Sequence, residues 1–103
     1  MALLERSLAS DHPAAQGHFP GNPIIPGAVL LSETLRAIES ALGVRLAPCD
    51  IRSAKFPRPT RPGELLRIEF SARAGETIRF TCAVDGLAVL LGEVTCPATS
   101  AHR

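Results

Sequence analysis

Two histidines stand out among the side chains that could do chemistry, because an imidazole titrates near neutral pH and can take or give a proton there. His12 and His18 both lie in Asp11–Gly27, a segment rich in proline and glycine. A single histidine in a loop is usually structural or solvated, and His12, which precedes Pro13, fits that description. The pair lacks a convincing third ligand, so the sequence predicts no metal site.

A helix must follow the segment that carries His18. Ala28–Leu42 contains no proline or glycine and repeats apolar side chains every three to four residues, and Gly43 then ends the pattern. Its first turn is apolar on every side, so we expect this turn to be buried all round. The apolar residues within Asp11–Gly27 favour an ordered loop over a flexible linker.

Five strands are predicted around this helix. A short one lies in the first ten residues, and four more follow the helix: Cys49–Phe56, Glu64–Ala72, Thr77–Val84 and Leu87–Thr95. Asp85-Gly86 joins the last two strands as a type I′ hairpin. We expect an α+β fold, a curved antiparallel sheet of about five strands around one central helix, as a single domain over residues 1–103 with a tail at 97–103. Four apolar side chains are expected in its core, with the lining of an acyl tunnel as the alternative: Phe56, Leu66, Phe70 and Phe80.

The composition excludes several classes of function. The 103 residues suffice for one domain and not two, and 11 Lys and Arg against 10 Asp and Glu leave a net charge of +1. That balance gives no electrostatic case for nucleic acid or an anionic membrane, and no apolar run nears the ~20 residues of a membrane span. Glu5 and Arg6 interrupt the first apolar stretch, so no secretory signal is expected. Because Cys49, Cys82 and Cys96 are odd in number and widely spaced, we expect buried reduced thiols in a cytoplasmic protein.

One segment is specific enough to indicate a family. Residues 17–27 have the sequence GHFPGNPIIPG and precede the apolar helix. At eleven consecutive positions they resemble the signature of the beta-hydroxyacyl-acyl carrier protein dehydratases, which have the hot-dog fold. Phe56-Pro57 and residues 61–65 (RPGEL) also resemble a strand and a turn of that family. The resemblance covers roughly residues 11–95 and implies the same fold that the order of elements favours.

The resemblance implies syn elimination of water from a beta-hydroxyacyl thioester, giving the trans-2-enoyl product without a cofactor or metal. His18 would take the proton from the carbon alpha to the thioester carbonyl. Gly27 and Ala28 would offer backbone N–H groups at the helix N-terminus to the enolate-like oxygen. Phe19 and Pro26 would also contact the substrate.

The acid of this family lies on the helix and comes from the partner subunit. Counted without gaps from His18, its position is occupied by Ser32, and Glu33 lies one residue away, which is a rotation of about 100°. Two interpretations stay open: Ala28 is an insertion that brings Glu33 into register, or a serine stands where the acid belongs. Glu33 is also explained as an ordinary helix-surface carboxylate that the macrodipole favours.

The sequence therefore predicts a lyase of fatty acid or lipid metabolism that dehydrates phosphopantetheine-linked chains on acyl carrier protein. Free sheet edges favour a homodimer or a higher homo-oligomer. The alternatives are a hot-dog acyl thioesterase and a non-catalytic acyl-binding subunit that pairs with a competent partner. Basic residues around the PRPTRPG break form either a solvated edge or a dock for the acidic carrier protein or its phosphopantetheine arm: Arg52, Lys55, Arg58 and Arg61.

Overall fold

The computed structural model describes residues 2–8, 24–43, 45–46, 49–71 and 77–96. Within these ranges, one helix and five strands follow one another along the chain: β1 (Ala2–Ser7), α1 (Gly27–Leu42), β2 (Asp50–Lys55), β3 (Leu65–Phe70), β4 (Thr77–Val84) and β5 (Leu87–Thr95). The predicted α+β class is confirmed, and every predicted element is present: β4 and β5 have the predicted bounds, and α1, β2 and β3 differ from theirs by one or two residues at an end. The predicted tail and most of the proline-rich segment lie outside the described residues.

The five strands form one antiparallel sheet in the order β1-β3-β4-β5-β2. Alternation sets its two faces: on β3, Leu66 and Ile68 are buried, whereas Arg67 and Glu69 are exposed. The nearly continuous apolar run of β5 lies between β4 and β2, so this strand is paired on both sides. β1 and β2 are left as the two edges of the sheet.

The hairpin between β4 and β5 has the predicted turn. Asp85 and Gly86 have φ angles of 52° and 80°, and Val84 pairs with Leu87 on either side of them. A positive φ at both central residues defines the type I′ turn, whose twist matches that of the flanking strands.

α1 packs one side against the sheet. It starts after Pro26, whose carbonyl accepts the N–H groups of Val29 and Leu30 at 3.0 Å each, and it ends at Gly43 in the left-handed conformation. The prediction that its first turn is buried all round was wrong, because Ala28 is exposed and Val29 only half-buried. The sheet covers a single side of the helix. Of the described residues, no helical stretch has the length and apolar character needed to cross a membrane.

The core lies between α1 and the inner face of the sheet. Leu66, Phe70 and Phe80 are buried there, as predicted. Gly92 pairs with Phe80 across the strands, and a Cβ on Gly92 would overlap the buried Phe80 ring, so a larger residue here must displace that ring. The prediction for Phe56 was wrong: it is 43% exposed, because it follows the edge strand β2 and not a central one.

The prediction of three free thiols was wrong for two of them. Cys49 and Cys96 form a disulfide with a Cα–Cα distance of 4.5 Å. They flank the last β2–β5 pair, Asp50 with Thr95, so sheet pairing brings together cysteines that are 47 residues apart in sequence. Cys82 is free and buried, and burial raises the pKa of its thiol from 9.0 to about 11, against a smaller opposite effect of the hydrogen bond to Thr34.

Candidate functional site

The N-terminus of α1 offers two backbone donors. The N–H groups of Gly27 and Ala28 precede the first intrahelical hydrogen bonds and have no acceptor among the described residues. The first turn carries no acidic side chain, and Pro26 provides no side-chain cap. Neither the first turn nor the N-cap therefore compensates the positive end of this 16-residue helix, which is suited to an oxygen that carries negative charge.

A groove runs from this N-terminus along the side of α1 that the sheet does not cover. This helix groove has a volume of about 430 Å³, and its wall on the helix consists of Ala28, Leu31, Ser32, Leu35, Arg36 and Glu39. Leu46, which follows the helix, and Ile51 of the edge strand β2 also line the groove. Most of these side chains are apolar, so the groove is suited to an aliphatic chain.

Ser32 and Glu33, the two candidates for the acid, lie on different sides of the helix. Ser32 is exposed in the helix groove. The Glu33 carboxylate is instead ion-paired with Arg6 of β1, with Oε1 2.9 Å from Nη2 and 3.1 Å from Nε. Successive residues of a helix differ by about 100° in direction, so Glu33 cannot reach the groove without leaving Arg6.

The groove contains one carboxylate that the sequence analysis did not select. Glu39 lies two turns beyond Ser32, and its Oε2 accepts a hydrogen bond of 2.6 Å from the Leu46 backbone N–H. Arg36 lies between them on the same wall. The spacing of Ser32, Arg36 and Glu39, at i, i+4 and i+7, is the sequence signal that places them on one helix face.

A second cavity meets the N-terminus of α1 from the other side. This loop cavity has a volume of about 310 Å³ and is lined by residues 24–27 and 56–60 together with Leu30. The Phe56 ring lies over Gly27, where a Cβ would come within 3.1 Å of it. Gly27 lines the loop cavity and Ala28 lines the helix groove, so these consecutive residues at the helix N-terminus border different cavities.

The remaining predicted residues are placed in part. His12, His18 and Phe19 lie outside the described residues, so their roles stay predictions. The four basic residues of the predicted dock are exposed on β2 and on the segment that follows it: Arg52, Lys55, Arg58 and Arg61. Among the described residues, no three His, Cys, Asp or Glu side chains are arranged to hold a metal ion.

Comparison with known proteins identifies the family. Residues 1–92 match the ApeI-like family, described as ApeI dehydratase. The chain belongs to this dehydratase family. Its similarity to the beta-hydroxyacyl-acyl carrier protein dehydratases, which the GHFPGNPIIPG motif indicated, is confirmed by curated relatives of that description.

Two of these relatives are dehydratases named FabZ. The 3-hydroxyacyl-acyl-carrier-protein dehydratase FabZ of Sodalis glossinidius is 34% identical, over 91% of this chain and 67% of that protein. FabZ of Yersinia enterocolitica is 33% identical over 91% of this chain, and the chain spans 60% of its length. The chain is thus substantially shorter than these relatives.

A solved structure supports the fold. The dehydratase heterocomplex ApeI:P from Xenorhabdus doucetiae superposes with a TM-score of 0.73 at 21% identity, covering 91% of this chain and 85% of that one. The chain therefore has the hot-dog fold.

Proposed function

We propose that this chain forms the site of a dehydratase that converts a beta-hydroxyacyl thioester on acyl carrier protein to the trans-2-enoyl thioester. The observation that supports this most is that the Gly27 and Ala28 amides have no acceptor among the described residues and that Ala28 lines a mostly apolar groove, in a chain of a dehydratase family. A thioester oxygen bound by these amides leaves the acyl chain in the helix groove. The amides then stabilise the negative charge that develops on this oxygen.

The elimination balances without a cofactor. His18 takes the proton from the alpha carbon, and the electron pair of that C–H bond forms the alpha–beta double bond. The beta C–O bond breaks, and the hydroxyl leaves as water after an acid protonates it. Proton transfers by positioned groups of this kind each contribute about 10²- to 10⁴-fold in rate.

The test is turnover of a beta-hydroxyacyl-acyl carrier protein, with loss of water followed by mass spectrometry. We expect the wild-type chain to form the enoyl product and His18→Ala to be slower by about 10²-fold or more with unchanged thermal unfolding. Normal turnover by His18→Ala would reject the assignment of the base. Release of free thiol in place of enoyl product would instead indicate a thioesterase.

The second candidate is a subunit that pairs with a different protein and not with a second copy of itself, and that protein supplies the acid. It is supported by Ser32, a poor general acid, in the helix groove, and by the Arg6 contact that holds Glu33 away from it. The Xenorhabdus doucetiae structure is likewise a heterocomplex. In this arrangement, the chain supplies binding and the base, and a partner chain supplies a carboxylate.

Ser32→Glu separates the two candidates. If the isolated chain lacks only the acid, the wild type should bind an acyl-pantetheine mimic but should not dehydrate a beta-hydroxyacyl-pantetheine. Ser32→Glu should then gain turnover. If the homo-oligomer is already competent, wild-type turnover is high and Ser32→Glu lowers it by crowding the groove.

Assembly and location follow from the same proposal. β2 is an edge strand, and Ile51 on it is 54% exposed beside the helix groove, so pairing of two β2 edges would cover an apolar side chain and close the groove. We propose a homodimer on this basis, with sedimentation velocity as its measurement. We also propose a cytoplasmic location, with acyl carrier protein as partner. Reductants in that compartment would favour the reduced thiols over the Cys49–Cys96 disulfide.

A further inference from the structure

The Cys49–Cys96 disulfide joins the lining of the helix groove to the end of a strand inside the sheet. Cys49 lines the groove directly before the edge strand β2, and Cys96 directly follows β5. Cys49 is half-buried, whereas Cys96 is fully buried. A dissolved thiol that enters the groove therefore reaches the Cys49 sulfur first.

This end of β2 has few other attachments to the sheet. β2 pairs with β5 alone, and the register of that pairing shifts between Ile51 and Ser53. Before the shift, β2 is held by the residue pairs at Asp50 and Ile51 only. The ends of edge strands open locally with little free energy. Ile51 lines the groove together with Cys49, so the position of this part of the lining depends on the disulfide.

Leu46, three residues before Cys49, is attached to the helix instead. Its N–H donates to Glu39 Oε2 at 2.6 Å, and its side chain is buried. Cys49 Sγ contacts the Leu46 carbonyl, which a reduced thiol at this position would use as a hydrogen-bond acceptor. Reduction thus removes the bond to β5 and keeps the contact on the helix side. The groove lining at Cys49 then loses its anchor on the sheet.

We propose that the Cys49–Cys96 pair is a thiol–disulfide switch that sets the affinity of the helix groove for an acyl chain. The inference rests on the proposed function, in which the acyl chain occupies this groove. In the oxidised chain, Cys49 and Ile51 are held in place and the apolar lining is preorganised. In the reduced chain, the lining is loose and binds the acyl chain more weakly. Because linkage is reciprocal, a bound acyl chain protects the disulfide from reduction.

The exchange balances with small cytoplasmic thiols as the reductant. A thiolate attacks Cys49 Sγ, the S–S bond breaks, and its electron pair leaves with the Cys96 sulfur, which takes a proton. A second thiol attacks the mixed disulfide and releases the Cys49 thiol. Two small thiols are thereby oxidised to one disulfide, and the reverse exchange restores the Cys49–Cys96 bond. Disulfides in cytoplasmic proteins are usually transient and catalytic or redox-sensing.

The test is the Kd of the wild-type chain for a non-hydrolysable decanoyl-pantetheine, before and after treatment with dithiothreitol, at a temperature where both forms are folded. We expect reduction to raise the Kd about fivefold or more, and oxidised glutathione to restore it. Cys82→Ala is the matched control and should respond as the wild type does, because Cys82 is buried and does not line the groove. Cys49→Ser/Cys96→Ser should bind as the reduced wild type does, with or without dithiothreitol.

Cys82 also reports whether the disulfide is reduced in the folded chain. Its thiol is free and buried, so an alkylating reagent reaches it only when the chain unfolds. In samples alkylated at intervals during reduction, we expect mass spectrometry to find Cys49 modified before Cys82. Saturating decanoyl-pantetheine should slow the modification of Cys49 about fivefold or more. Modification of both cysteines at one rate would mean that the disulfide opens only by unfolding, and would overturn the switch.

The Kd values separate failure of the switch from failure of the proposed function. Equal Kd values for the oxidised and reduced wild type would overturn the switch and leave a purely structural disulfide, while the proposed function stands. A Kd that responds to dithiothreitol in Cys49→Ser/Cys96→Ser would also overturn the switch. Absence of binding by both forms of the wild type would overturn the switch together with the acyl-binding role of the groove.

Discussion

Replacement of Glu33 by glutamine distinguishes a carboxylate that holds the helix from one that does chemistry. Glu33 joins α1 to β1 through Arg6, with contacts of 2.9 and 3.1 Å to one carboxylate oxygen. The side chains are 20% and 39% exposed, so solvent screens the pair in part. Its coupling energy should lie near the upper end of the range for exposed ion pairs, about 1 kcal/mol. For a chain of this size, this corresponds to a Tm lower by about 4 °C.

Arg6→Gln is the matched variant, because it breaks the same pair without touching a carboxylate. The double variant should lose less stability than the sum of the two single variants, since each single change already removes the ion pair that Glu33 and Arg6 share. Turnover per folded molecule should be equal in Glu33→Gln and Arg6→Gln, and Ser32→Ala should leave Tm unchanged because Ser32 is exposed. A collapse of turnover in Glu33→Gln with normal turnover in Arg6→Gln would refute the structural role and make Glu33 the acid.

Two further predictions concern the cysteines. Reduction of the Cys49–Cys96 disulfide should lower the free energy of unfolding by up to about 4 kcal/mol, which is the loop-entropy value for a separation of 47 residues. A Cys49→Ser/Cys96→Ser variant should unfold identically with and without reductant. If reductant leaves the Tm of the wild type unchanged, the disulfide adds no stability. The second prediction concerns alkaline pH, because the pKa of Cys82 is about 11 in the folded chain and near 9.0 in the unfolded chain. Between pH 9 and 11 the thiolate forms in the unfolded chain alone, so the free energy of unfolding should be constant below pH 9 and fall over this range. Thermal unfolding of Cys82→Ala should lack this fall, and an equal fall in that variant would contradict the assignment.

The elements of the fold were predictable because their signals are local. Apolar spacing placed α1, alternation placed β3 and β4, and Asp85-Gly86 predicted the I′ turn that joins the last two strands. Each of these patterns depends on residues within a few positions of one another, where sequence distance and spatial distance agree. The GHFPGNPIIPG motif added the family, since so long a run of matches is specific.

The site needed distances that sequence does not contain. Ser32 and Glu33 were equivalent neighbours along the chain, and the position of β1 relative to α1 decided that Arg6 holds one and leaves the other in the groove. The pairing of Cys49 with Cys96 could not be predicted from the sequence, because it depends on the β2–β5 register that brings the two residues together.

The burial of Thr60, whose Oγ1 has no hydrogen-bond partner among the described residues, also depended on tertiary structure. The PRPTRPG sequence is the same whether its threonine is exposed or buried, so the sequence could not distinguish the two cases. Side-chain periodicity is set within a single helix or strand, whereas ion pairs, disulfides and unsatisfied hydroxyl groups are set by packing between elements, and packing follows from the whole chain.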